Sequence, residues 1–148
     1  MMKTINHVAI STPDMDRSLH FYRDLMGMQF VSEGPFEGTL YDKILGLESA
    51  RGRAAMLRMG EAQLELFEFS NPSPTPSDPK RPVCDHGITH ICFDVTNIDE
   101  EYQRLEEAGV IFHCPPQDAG FAKATYGRDP DGNVFELLEL VNKVTRSE

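Results

Sequence analysis

The chain repeats itself, and the repeat limits what it can fold into. The stretch "HVAISTPDMDRSLHFYRDLMGM", from His7, runs parallel to "HICFDVTNIDEEYQRLEEAGVIF", from His90. Each begins with a histidine in an alternating apolar run, passes a polar turn and enters an amphipathic helix that ends near glycine. At a constant offset His7 matches His90, Val8 matches Ile91, Ile10 matches Phe93 and Asp16 matches Asp99. A repeat of this length implies two copies of one supersecondary unit, neither able to bury its apolar face alone. Gly27 and Gly109 suit left-handed residues after the helices, and Asn97 with Glu100 suits a helix N-terminus.

Each repeat reads as strand, helix, then three strands. In the first, 5–11 is strand-like, 14–26 helical, and 28–33, 53–59 and 62–69 are further strands. In the second, 89–95 leads to a helix over 98–108, followed by strands at 110–114, 122–127 and 133–140. "DPDGN", 129–133, is a turn in which Pro130 presets φ and Gly132 permits a positive one. The expected fold class is α+β: two βαβββ modules forming a cupped mixed sheet. The domain plan is a single unit over 1–148, with modules at 1–70 and 86–141, a proline-rich linker at 71–85 and a tail at 142–148. The linker holds five prolines and could reach roughly 45 Å in extended form. Residues 35–55 have no counterpart in the second repeat. Their core, 41–47, suits a short helix, either a substrate wall or a surface excursion.

Charge and cysteine content remove several classes of function. A net charge of −10 repels phosphate backbones and anionic lipid, so neither nucleic acid nor membrane is an expected partner. Three cysteines without a CxxC pair fit a reducing compartment, and the start lacks a signal peptide's apolar stretch, so a cytoplasmic location is expected.

Strand alternation then sorts the polar residues onto faces. His7 shares a face with Ala9 and Ser11, and His90 with Cys92 and Asp94. Glu65 aligns with Gln63, Phe67 and Phe69, while Glu136 aligns with Val134, Leu138 and Leu140. Each module therefore offers one His on its first strand and one Glu on its last, away from the helix. A single such His is usually a hydrogen-bonded core residue, and a single such Glu an edge position. The joint recurrence favours a divalent metal, such as Ni, Co, Zn, Fe or Mn, if the repeats pack about a pseudo-twofold axis. Glu68 and Glu139 fall on the helix side or at strand ends. His86 reads as a loop residue, His20 and His113 as surface groups.

The segments "NHVAI", "RSLHFYRDLMGM", "QLELFEF", "THICFDV" and above all "DPDGNVFELLEL" resemble the vicinal oxygen chelate superfamily, which spans glyoxalase I, bleomycin-resistance proteins and dioxygenases. The resemblance covers nearly the whole chain and is nearest to glyoxalase I-like members. It implies paired βαβββ modules around a metal, commonly in a dimer, so a homodimer acting on a small-molecule substrate is expected. It places the metal ligands at His7, Glu65, His90 and Glu136, and implies no further cofactor site. Glu at the second position resembles glyoxalase I, where epimerase-like members commonly have Gln.

The leading reading is a metal-dependent lyase or isomerase that moves a proton next to a carbonyl, with Glu136 or Glu65 as catalytic base. The alternatives are a methylmalonyl-CoA epimerase-like isomerase, an extradiol-type Fe(II) dioxygenase using His7, His90 and Glu136, and a metal-free binding protein for a drug or metabolite. Lys43, Arg51, Arg53, Lys123 and Arg128 are candidates to hold an anionic substrate; any one of them taken alone is more often a solvated surface charge. The sequence leaves open the substrate, the metal, which Glu is the base, and whether the site forms within one chain or between two.

Overall fold

The computed structural model describes residues 1–141, so the expected tail at 142–148 lies outside the described residues. The chain divides into two compact units, one from Met1 to Pro76 and one beginning at Ser77. Each is a βαβββ module, as the repeat predicts.

The first unit holds β1 (Val8–Ser11), α1 (Met15–Leu19), a π-helical turn (His20–Leu25), β2 (Gln29–Glu37), α2 (Thr39–Leu45), β3 (Arg51–Met59) and β4 (Ala62–Asn71). The sheet order is β1-β4-β3-β2. β1 and β4 are parallel, and the other pairs are antiparallel. Parallel neighbours require a long connection, and the helix with its two following strands supplies it. On the helix side Ala55, Leu57, Leu64 and Leu66 meet Met15, Leu19, Phe21 and Tyr22 in a core from which water is almost excluded. The helix predicted over 14–26 is α-helical only to Leu19. Beyond it the turn widens, with Met26 N–H donating to Phe21 C=O at 2.9 Å. The wider turn accompanies burial of both Phe21 and Tyr22, consecutive residues packed edge to face at 4.9 Å. Gly27 then ends the segment at φ 78°, as expected.

The second unit holds β5 (Ile91–Asp94), α3 (Ile98–Glu107), β6 (Ile111–Phe112), β7 (Gln117–Asp118), β8 (Ala122–Arg128) and β9 (Val134–Leu140). Its order is β5-β9-β8-β6, with β7 also on β8, and β5 runs parallel to β9. Phe93, Ile98, Leu105, Phe135 and Leu137 form its core. Asn97 accepts from Glu100 N–H, the cap the sequence predicts. The strand expected over 110–114 pairs only at Ile111 and Phe112.

One device recurs in both units. Glu68 Oε1 accepts the N–H of Met15, and Glu139 Oε2 accepts the N–H of Ile98, each at 3.2 Å. A carboxylate at the end of the last strand thus satisfies a donor at the helix N-terminus and faces its positive pole. The segment after Ser77 is pinned to its own unit. Arg128 donates to the carbonyls of Pro79 and Arg81, and Gly132 passes so close to Pro79 that a Cβ would stand 2.3 Å from its Cα. Among the described residues no helix is long and apolar enough to cross a membrane.

Gly52 sits where the β3–β4 register shifts, and a Cβ there would stand 2.1 Å from the carbonyl oxygen of Glu68 and 2.9 Å from the ring of Phe36. Gly52→Ala is therefore expected to cost about 1–3 kcal/mol of stability by overpacking, read by denaturant unfolding.

Candidate metal centre

The parallel pairing of first and last strands puts histidine and glutamate side by side. In the first unit Ala9 is the register partner of Glu65, so His7, one side-chain period earlier, lies diagonal to Glu65 on the same face. His7 Nε2 stands 3.2 Å from Glu65 Oε2. In the second unit Cys92 is the partner of Glu136, and His90 Nε2 stands 3.0 Å from Glu136 Oε2. Both histidines precede the first paired residue of their strands, which begin at Val8 and Ile91 rather than at 5 and 89 as predicted.

Each imidazole is held at its other nitrogen by the residue before it. His7 Nδ1 is 2.8 Å from Asn6 Oδ1, and His90 Nδ1 is 2.9 Å from Thr89 Oγ1. An amide oxygen only accepts, so Nδ1 of His7 carries a proton, and Nε2 is the nitrogen that faces Glu65. A carboxylate facing that nitrogen is satisfied by a proton on the ring or by a cation held between the two. The separations of 3.2 and 3.0 Å suit a direct hydrogen bond and would also let both side chains reach one ion. Imidazole and carboxylate together suit a first-row divalent ion, so the donor set fits the group that the sequence implies. The four candidate ligands are thus brought together as two pairs, one per unit. Among the described residues no group of three or more His, Cys, Asp and Glu side chains is gathered as a ready metal site.

The surroundings of the two pairs differ. The side chains of His90 and Glu136 are 25% and 15% exposed, against 38% and 22% for His7 and Glu65. Tyr126 is the register partner of Glu136, and its ring lies 4.8 Å from that of His90. Burial and the Glu136 carboxylate raise its phenol pKa. Partial burial, and then the hydrogen bond it gives Glu136, push the Cys92 thiol up to about 12. His113 faces Tyr126 from the other side at 6.3 Å, and desolvation with the nearby Arg128 charge lowers its pKa. Sequence reasoning singled out neither Tyr126 nor His113 for this face. The alternation of "AKATYG" carried the signal for Tyr126 but needed the β8–β9 register to be read.

The proposed anion-holding residues are dispersed. Arg53 lies on the helix side of β3, where its guanidinium meets Glu68 at 2.5 Å and Glu33 and Asp16 at 3.2 Å each. Lys123 lies on the helix side of β8 and pairs with Asp99 at 2.9 Å. Arg128 shares the Glu136 face, but its guanidinium donates to three backbone carbonyls, of Pro79, Arg81 and Gly132. Lys43 and Arg51 are exposed, on α2 and at the start of β3.

Comparison with known proteins agrees with the fold. The Glyoxalase/Bleomycin resistance protein/Dioxygenase superfamily matches residues 4–137. The protein YaeR of Escherichia coli is 32% identical over 93% of this chain and 97% of its own length. The lactoylglutathione lyase of Schizosaccharomyces pombe is 29% identical over 90% of this chain, which spans only 46% of that relative. A glyoxalase family protein from Bacillus cereus has the same fold, with a TM-score of 0.88 at 23% identity, over 96% of this chain and 97% of its own.

A thiol pushed up to about 12 is almost wholly protonated near neutrality. Cys92 is therefore expected to react with iodoacetamide at pH 8 more slowly than Cys84 or Cys114, followed by peptide mass spectrometry. Glu136→Gln, which removes the neighbouring negative charge, is expected to speed its reaction.

Proposed function

The chain belongs to the Glyoxalase/Bleomycin resistance protein/Dioxygenase superfamily, and on that premise we propose that it is a divalent-metal-dependent lyase or isomerase of the glyoxalase I type. The observation that carries this reading is the repeated His–Glu pair, with each imidazole held at Nδ1 and its Nε2 turned to a carboxylate. His7, Glu65, His90 and Glu136 would hold the ion, one of Ni, Co, Zn, Fe or Mn. When bound, it would act as a Lewis acid on neighbouring oxygens of a small substrate.

The residues of the chain do the rest. Asn6 and Thr89 orient the imidazoles, as outer partners of metal-binding histidines do. Glu136 is the less exposed carboxylate and has Cys92 and Tyr126 beside it, so it is the better placed of the two to take a proton from the carbon next to a carbonyl. Glu65 is the second carboxylate and the counterpart that returns it. Arg53 and Lys123 are engaged by carboxylates on the helix sides of their sheets, so an anionic group of the substrate would be held at the metal rather than by these cations. The active assembly in this reading is a homodimer, to be checked by sedimentation.

Elemental analysis of the purified protein tests the centre. About one divalent ion per chain is expected, and His90→Ala is expected to lose it. Asn6→Ala and Thr89→Val are expected to weaken the metal roughly 10–100-fold while the fold stays intact. Glu136→Gln is expected to retain the fold and lower turnover of hemithioacetal or 2-hydroxy acid substrates by about 10²–10⁴-fold. Failure to take up any metal would return the His–Glu contacts to plain hydrogen bonds and favour a binding protein. Oxygen consumption dependent on bound Fe(II) would favour a dioxygenase.

A further inference from the structure

The face of the first sheet that carries Glu65 is hollowed beside it. Three rows cross β2, β3 and β4 there: Ser32–Met56–Glu65, Gly34–Ala54–Phe67 and Phe36–Gly52–Phe69. The middle row has no side chain at Gly34 and a single methyl at Ala54. The outcome is a cavity of about 250 Å³ lined by Gly34, Phe36, Tyr41, Ala54, Met56 and Phe67, with Glu65 also in its wall.

The aromatic walls are fixed by local structure. Phe36 lies over Gly52, where a Cβ would collide with its ring. From there it meets Phe67 and Phe69 edge-on, at 5.5 and 5.3 Å. Tyr41 comes from α2, in the segment 35–55 that the second repeat lacks, and its ring stands 5.6 Å from that of Phe36. α2 is moored behind it: Asp42 Oδ1 accepts the N–H of buried Ala50 at 2.6 Å, and Gly46 turns left-handed at φ 65° to end the helix. The insertion therefore supplies a wall of this cavity.

Chemistry narrows the occupant. Glu65 is the one charged group among the described lining residues, so nothing there offers an anion a partner. A cation would be repelled by the ion that His7 and Glu65 would hold in the reading given above. A neutral apolar group suits the walls, and an aromatic ring gains edge-to-face contacts with Phe36, Tyr41 and Phe67. An enclosed apolar cavity of about 150 Å³ is enough to hold benzene, so this hollow, open on one side, has room for a ring. We infer that the cavity is a specificity subsite for an aromatic substituent: the substrate presents neighbouring oxygens toward the His7–Glu65 pair and seats a ring among Tyr41, Phe36 and Phe67. This inference rests on the metal-centre reading given above.

Two measurements test it. The first needs no metal: benzyl alcohol is titrated into metal-free protein while the Met56 methyl signal is followed by NMR. A saturable shift is expected, weakened at least roughly tenfold by Gly34→Leu, which fills the cavity. Gly34 has open space where the side chain would start and a backbone conformation that any residue adopts, so the variant folds. An unmoved Met56 signal, or the same titration curve in Gly34→Leu, overturns the subsite. The second compares mandelate with lactate on metal-loaded protein, because both carry a carboxylate and an adjacent hydroxyl. Mandelate is expected to bind at least roughly tenfold tighter, with the preference lost in Gly34→Leu while metal content is unchanged. Equal affinities overturn the inference. A protein that takes up no metal defeats the chelate reading alone, and the Met56 titration still decides the cavity.

Discussion

The parallel contact between the first and last strands of each module is the constraint from which the site follows. Parallel neighbours cannot be joined by a tight turn, so the helix and two further strands must intervene. That connection places residues 58 positions apart in the first unit within hydrogen-bond reach across one strand gap, His7 against Glu65. The second unit repeats the geometry with His90 and Glu136. A slip of one residue in either parallel pair would turn the glutamate into the apolar helix side, where it would lose both its partner and its solvent. The register that buries Leu64 and Leu66, or Phe135 and Leu137, is thus the register that presents the carboxylate. Core packing and site geometry are one choice, made twice.

Much of this was legible because period and repeat reinforce each other. Alternation alone assigns His90 to the face away from Phe93, and the repeat gives His7 the same assignment. The glycines after each helix, the Asn97 cap and the order of elements follow from equally local rules. What was not legible depends on contacts across strands. Lys123 and Arg53 read as available cations, yet their faces depend on which neighbour each opposes, and both turn toward carboxylates on the helix side. Glu68 and Glu139 read as minor strand-end residues, and only the docking of the helix start onto the strand end gives them a donor to satisfy. The π-helical turn has no sequence signal of its own, because it answers to burial of Phe21 and Tyr22 together. The segment 41–47 announced a short helix, but that its Tyr41 walls a cavity depends on Gly52 letting Phe36 lie across the sheet.

The two halves of the device have diverged around a shared pair. In the first unit the small residues Gly34 and Ala54, the Phe36 ring and the inserted α2 open space beside the carboxylate. In the second, Tyr126 and Cys92 crowd it. Neighbours that shield a carboxylate from bulk water suit a group placed to meet a reacting substrate. Open apolar space suits recognition of a substituent, because it gives little to the reaction itself and much to the choice of substrate. A duplicated module thereby gives each copy of the pair its own surroundings, open beside Glu65 and crowded beside Glu136. In the proposed reading both carboxylates handle the proton, the open space beside Glu65 adds the choice of substituent, and the histidine with its Nδ1 partner is common to both units.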